Sequence, residues 1–317
     1  MKTNVTRETK FYAVIGDPIA HSLSPVFQNC FIRQRNLDAI YIPLRITSDT
    51  LVDSLELLRN NFSGFNVTIP HKENIMQYLD EIDPLAIEYG AVNTVKIADG
   101  ALMGYNTDGM GFARSLENIN INLKGKQVLL LGAGGAAKVI ASEIVKLGGN
   151  LTIANRNIER GMQLKNQLEK SYDVFIDIID PEELNTPSDI LNPAKPHDYT
   201  DIIHPTKPDN YTDIANPSKN DTYFDVIINS TPVGMYPNID KSPINPNILR
   251  GAKLVYDIIY NPFETELLKI GNKLGAKTIN GLPMLIYQGL KSFEIWTGER
   301  ATHNEEKEIY DMLKNAF

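Results

Sequence analysis

Three short stretches in the first third of the chain bring together side chains able to handle a small polar molecule. "HSLSP" offers Ser22 and Ser24, "NVTIPHK" offers Asn66, Thr68 and Lys72, and "AVNTV" with "GYNTDG" adds Asn93 and Asp108. Hydroxyls and carboxamides exchange hydrogen bonds with ligand hydroxyls, while an ammonium and a carboxylate add one charge of each sign. The set suits a small, polyhydroxylated, anionic ligand. It has neither the His/carboxylate spacing of a metal site nor a nucleophile elbow. Each residue also has a plainer use. Ser22 and Ser24 could cap a helix starting near Pro25, Asp108 beside Gly109 could be a turn residue, and Lys72 could be solvated. His21 and His71 read as polar loop residues, and Cys30 as a small core residue.

The elements that must position these residues alternate between two periods. Apolar runs at 12–16, 40–46 and 64–70 read as strands, with helices at 25–35, 51–58 and 71–79 between or after them. In the second helix Leu51, Val52, Leu55 and Leu58 are expected on one face, with Thr47 and Ser48 as capping candidates. Residues 91–107 read as a hairpin turning at Asp99-Gly100. This rhythm implies a mostly parallel sheet covered by helices, with the polar clusters at the ends of its elements.

A second α/β block begins near Leu123. There "GAGGAA" (132–137) lies between an apolar strand and a helix, giving Gly132, Gly134 and Ala137 as G-x-G-x-x-A, with Ala133, Gly135 and Ala136 filling the turn. Gly132 permits the tight turn, Gly134 lets a pyrophosphate approach the backbone, and Ala137 allows close helix–strand packing. The helix N-terminus then offers N–H groups to phosphate. Where NAD enzymes carry an acidic residue after the next strand, this chain has Asn155-Arg156, with Arg160 one helical turn on. Guanidinium groups there pair with a 2′-phosphate, so NADP is expected over NAD.

Strands at 151–156, 173–179, 224–230, 253–260 and 277–281 and helices between them continue the pattern, which closes on two helices. The rhythm is interrupted at 188–223 by three twelve-residue copies, "SDILNPAKPHDY", "TDIIHPTKPDNY" and "TDIANPSKNDTY". They are too short to be the architecture and read as a surface insert with five prolines (193, 196, 205, 208 and 217) that oppose long helix.

The whole chain has 317 residues, 42% hydrophobic and 22% charged, which suggests two folded domains. A formal charge of −8 argues against nucleic acid and anionic membrane as partners. With Cys30 the sole cysteine, no internal disulfide or Cys-based zinc site can form. No signal-like or membrane-spanning run opens the chain, so the cytosol is expected.

Taken together, "AVIGDPIAHSLSP", "GFNVTIPHK", "GAVNTV", "GYNTDG", "GAGGAA", "DVIINSTPVGM", "YDIIYNP" and "GLPMLIYQGLKSFEIWTG" make the chain resemble the shikimate dehydrogenases. The resemblance implies two α/β domains: a substrate domain (1–110 with 282–317) and a Rossmann-type NADP domain (111–281) that carries the insert. It implies NADPH-dependent reduction of 3-dehydroshikimate to shikimate, with Lys72 and Asp108 as the catalytic pair. By the same likeness Ser22, Ser24 and Tyr260 would hold the substrate carboxylate, and Asn66, Thr68, Asn93, Asp108 and Gln288 its hydroxyls. Thr231, Gly281 and Met284 would approach the nicotinamide. Asn157 departs from the family's usual Thr after Asn-Arg. A quinate/shikimate enzyme with relaxed cofactor use and a non-catalytic metabolite-binding regulator are the alternatives. The sequence leaves the oligomeric state open, with a homodimer as one option.

Overall fold

Among the described residues the strand–helix alternation builds two six-stranded sheets. The structure is a computed structural model that describes residues 5–182, 184 and 224–315; the three copies at 188–223 lie outside the described residues. The first sheet is formed by β1 (Lys10–Gly16), β2 (Ala39–Arg45), β3 (Gly64–Val67), β4 (Glu81–Ile82), β5 (Thr94–Ala98) and β6 (Ala101–Tyr105), in the order β2-β1-β3-β5-β6-β4. Helices α1 (Ser24–Gln34), α2 (Leu51–Asn61) and α3 (Pro84–Tyr89) join its strands. The β2-β1-β3 half is parallel, whereas β3-β5 and β5-β6 are antiparallel. The expected hairpin forms: Asp99 and Gly100 both take positive φ (51° and 78°), the signature of the tight turn that matches strand twist.

Helix α4 (Asp108–Glu117) leads into the second sheet. Its strands are β7 (Gln127–Leu131), β8 (Asn150–Ala154), β9 (Asp177–Ile179), β10 (Val226–Asn229), β11 (Leu254–Asp257) and β12 (Lys277–Ile279). All five pairings are parallel, in the order β12-β11-β10-β7-β8-β9. Strand order reverses at β7, and α/β folds bind ligands in the crevice this opens at the strands' carboxyl ends. Helices α5 (Gly135–Lys146), α6 (Ile158–Tyr172) and α7 (Glu266–Lys273) are the connections. Leu184 and Phe224, the described residues nearest the repeats on either side, are both buried in one core cluster with Ile227 and Leu249.

The last two helices, α8 (Leu282–Thr297) and α9 (His303–Lys314), return to the first sheet. Trp296 on α8 stacks on Tyr12 of β1 (5.0 Å between centroids) and donates its Nε1–H to the Val95 carbonyl of β5 (2.9 Å). A side chain at Gly64 would meet that indole at 2.4 Å, so glycine there is what lets α8 lie on the sheet.

Four local expectations need correction. Val52 is 51% exposed, so the packed face of α2 is Leu51, Leu55 and Leu58. The strand expected over 64–70 stops at Val67, although Thr68 N–H still bonds to the Ile15 carbonyl and the Ile69 carbonyl accepts from Asp17 N–H. The helix expected at 71–79 is a single 3₁₀ turn, Asn74–Tyr78. Cys30 is half-buried and not a core residue.

Candidate active site

The polar residues picked out by type converge at the carboxyl ends of β1 and β3, the amino end of the antiparallel β5 and the start of α4. Lys72 Nζ lies 2.6 Å from Asp108 Oδ2, the lysine a quarter exposed and the aspartate almost buried. Asn93 fixes the other carboxylate oxygen, donating from Nδ2 to Asp108 Oδ1 at 2.8 Å and to Gln288 Oε1 at 3.2 Å. The Asn93 carbonyl oxygen of the side chain accepts from the Thr107 amide (2.9 Å). Asn66 Nδ2 donates to the Asn93 backbone carbonyl, Thr94 Oγ1 and Ser292 Oγ at 2.9–3.1 Å, and its Oδ1 accepts from the Tyr41 hydroxyl at 2.7 Å. A continuous network therefore runs Tyr41–Asn66–Asn93–Asp108–Lys72. Buried carboxamides with both ends satisfied hold one orientation, and here that orientation aims Asp108 at Lys72.

The ordering extends to Lys72's own segment. His71 is a loop residue, as its polar stretch suggests, but a fully buried one, its Nε2 2.7 Å from the Ile46 carbonyl. Its ring pins the turn that follows β3 under the end of β2, so Lys72 emerges from a fixed backbone.

Neither serine of "HSLSP" makes a side-chain cap for α1, whose N-cap is Leu23. Ser22 Oγ accepts the Ser24 amide (3.3 Å), while Ser24 is buried with its hydroxyl beside that of Tyr41. Thr68 and Tyr260 stand half-buried and make no side-chain hydrogen bond into the network among the described residues. Tyr260 packs against the core containing Ile286 and Leu290, and burial pushes its hydroxyl pKa up.

At the second sheet, Gly132 has φ 105°, a conformation that L side chains avoid, and a Cβ there would meet Ser230 Oγ at 2.8 Å. Gly134 faces open space, with nothing within 4 Å of its Cβ position. The first amides of α5 have no intrahelical acceptor and open onto this space, so the turn fits a pyrophosphate. Ala137 is fully buried, as close helix packing requires, whereas Ala136 stays half-exposed at the mouth.

A cleft of about 510 Å³ continues from here, lined by Glu73, Ala133, Lys138, Asn157 and Arg160 among others. Asn155 Nδ2 donates to the Asn157 carbonyl (2.7 Å), and Asn157 Oδ1 caps α6 by accepting the Arg160 amide (2.9 Å). Asn at this position thus does the capping that Thr would do. Arg156 and Arg160 are exposed, and neither forms an ion pair among the described residues. Two unpaired guanidinium groups beside an open cleft fit a 2′-phosphate.

Thr231 is held at the end of β10 by Asn229 Oδ1, which accepts both its hydroxyl and its amide (2.7 and 3.0 Å). Gly281 starts α8 pressed against the Ile258 carbonyl, 1.8 Å from its Cβ position, and Met284 is buried one turn later.

Comparison with known families bears directly on this arrangement. Residues 14–95 match the shikimate dehydrogenase substrate binding domain, 114–226 the shikimate/quinate 5-dehydrogenase model, and 281–301 the shikimate 5′-dehydrogenase C-terminal domain. A shikimate dehydrogenase (NADP+) of Methanococcus maripaludis is 40% identical over 296 residues, covering 93% of this chain and 94% of that protein. The chain belongs to the shikimate dehydrogenase family.

Solved shikimate dehydrogenases share the fold. One in complex with NADP+ is 37% identical with a TM-score of 0.79, over 97% of this chain and 96% of that one. One from Listeria monocytogenes, in complex with shikimate and NAD, is 31% identical with a TM-score of 0.79, over 98% and 99%.

Tyr41, Thr94, Thr107 and Ser292 are parts of the network that residue-type reasoning passed over. Thr94 and Thr107 each sit next to a residue that was picked out. Ser292 lies one helical turn beyond Gln288, a spacing that could have flagged it.

Proposed function

We propose that Lys72 and Asp108 perform the proton chemistry of a shikimate dehydrogenase reaction, the reversible NADPH-dependent reduction of 3-dehydroshikimate to shikimate on the route to chorismate and the aromatic amino acids. The observation that carries this reading is the 2.6 Å Lys72–Asp108 pair, with Asn93 holding the second carboxylate oxygen.

NADPH, when bound at the glycine turn, supplies a hydride to the substrate's C3 carbonyl carbon. The carbonyl oxygen then carries the negative charge. Lys72, as ammonium, stabilises that alkoxide and gives it a proton, becoming a neutral amine that solvent reprotonates. In the oxidative direction the neutral amine takes the proton. Asp108 orients Lys72 and accepts from a neighbouring substrate hydroxyl. Ser22, Ser24 and Tyr260 bind the substrate carboxylate, and Asn66, Thr68, Asn93 and Gln288 its hydroxyls. Asn155, Arg156 and Arg160 take the adenosine 2′-phosphate, with Thr231, Gly281 and Met284 at the nicotinamide end.

The domain division follows the same logic. Residues 1–110 with 282–317 make the substrate domain, supported by the seating of α8 on β1 and β5, and 111–281 make the NADP domain. The enzyme works in the cytosol on small molecules and takes neither nucleic acid nor membrane as partner; a homodimer is its proposed assembly. A non-catalytic regulator on this fold would have no use for an intact Lys72–Asp108 pair.

Initial rates with shikimate and quinate, each with NADP+ and NAD+, followed by nicotinamide absorbance, test the assignment. Preference for shikimate with NADP+ is expected. Preference for quinate with NAD+ would replace it.

A further inference from the structure

Glu73 follows Lys72 directly in the chain, yet its carboxylate does not join the substrate network. It reaches across the cleft to the second sheet, where Lys138 Nζ of α5 lies 3.1 Å from Glu73 Oε1. The same oxygen is 3.7 Å from the Cβ position of Gly135, and no other atom outside that glycine's own neighbourhood comes within 4 Å. About half of the Glu73 side chain remains exposed, so burial does not lock the contact. An intrinsic carboxylate therefore sits at the open N-terminus of α5, where a helix attracts anions and where the glycine turn fits a diphosphate.

We propose that Glu73 is a built-in competitor for the phosphate-binding turn: its carboxylate holds Lys138 over Gly135 until the cofactor's diphosphate displaces it. The inference rests on assigning the cofactor to this turn. Two anions this close to one helix N-terminus repel each other, so cofactor binding must expel Glu73. Expulsion frees Lys138 to pair with phosphate. It also releases the residue next to Lys72, so cofactor arrival and the setting of the catalytic ammonium are coupled through one short segment.

The test is equilibrium binding of NADP+ at fixed salt, by calorimetry, to the wild type, Glu73→Gln, Lys138→Gln and the double variant. Glu73→Gln keeps the shape and removes the charge. It should tighten the Kd by about three- to fivefold, the scale of one half-exposed charge interaction. Lys138→Gln should weaken binding, and in its background Glu73→Gln should gain less than twofold, because nothing then holds the carboxylate over the turn. Thermal melts report folding of each variant, and the exposure of Glu73 makes loss of fold unexpected. If Glu73→Gln binds no tighter than a wild type that does bind NADP+, the competitor role is wrong and the functional assignment stands. If the wild type binds no NADP+, both fall together.

Discussion

Asp257 gives the sharpest prediction about stability. It ends β11 with no exposed surface and, among the described residues, no cationic partner, accepting from Asn229 Nδ2 (3.1 Å), the Ile259 amide (3.0 Å) and Thr265 Oγ1 (2.7 Å). Burial penalises the charged form and outweighs those three donors, so its pKa rises from 3.8 to about 6. The native state therefore binds this proton more tightly than the unfolded chain does. The resulting stability is fully present below about pH 4 and is lost as pH climbs through about 6. At ~1.4 kcal/mol per pH unit, the interval is worth about 3 kcal/mol. Asp257→Asn fixes a neutral group of the same shape, with one oxygen left to accept from Asn229 and Ile259. Urea unfolding of both proteins from pH 4 to 7.5 isolates the effect, since other titrating groups cancel in the difference. The variant's stability relative to wild type should rise by about 3 kcal/mol between pH 4 and pH 7. A difference that stays constant across the range would refute the idea that this carboxylate is ionised at a cost.

The cofactor cleft and the start of α8 yield two more tests. Replacing Arg156 and Arg160 together by alanine should raise KM for NADPH by about ten- to a hundredfold while leaving KM for NADH within about twofold, because the charge-assisted bonds of these two exposed guanidinium groups are together worth about 1.5–3 kcal/mol; parallel steady-state kinetics with the two cofactors decide. Gly281→Ala places a methyl where the Ile258 carbonyl lies only 1.8 Å away, so the start of α8 must move. A loss of about 2 kcal/mol in urea unfolding is expected, within the usual range for overpacking, together with a higher KM for NADPH.

Much of this molecule was legible because its chemistry is written in short local patterns. The turn at Gly132 needs a positive φ, and the Asp99-Gly100 turn likewise, so glycine and aspartate spacing announced both. Lys72 and Asp108 could be picked out by type, yet nothing in their 36-residue separation states that they meet. Their meeting depends on β3 and β5 being neighbours and on Asn93 bridging them, which only the register of the sheet decides. The burial of His71 was hidden for the same reason. A histidine in a polar stretch looks solvated until the chain folds it under β2. Val52 fell on the wrong side because a four-residue apolar cluster fixes the helix face only to within one position. The Glu73–Lys138 contact spans two sheets and has no sequence signature.

Lys72→Met is the most direct test of the central claim. It removes the ammonium while keeping much of the side-chain volume, and NADP+ and shikimate binding can be measured separately from turnover. In Lys72→Met, kcat should fall by about a hundred- to ten-thousandfold, the scale of a lost general acid–base group, with the NADP+ Kd unchanged within about twofold. A folded Lys72→Met variant with kcat within about threefold of wild type would contradict it.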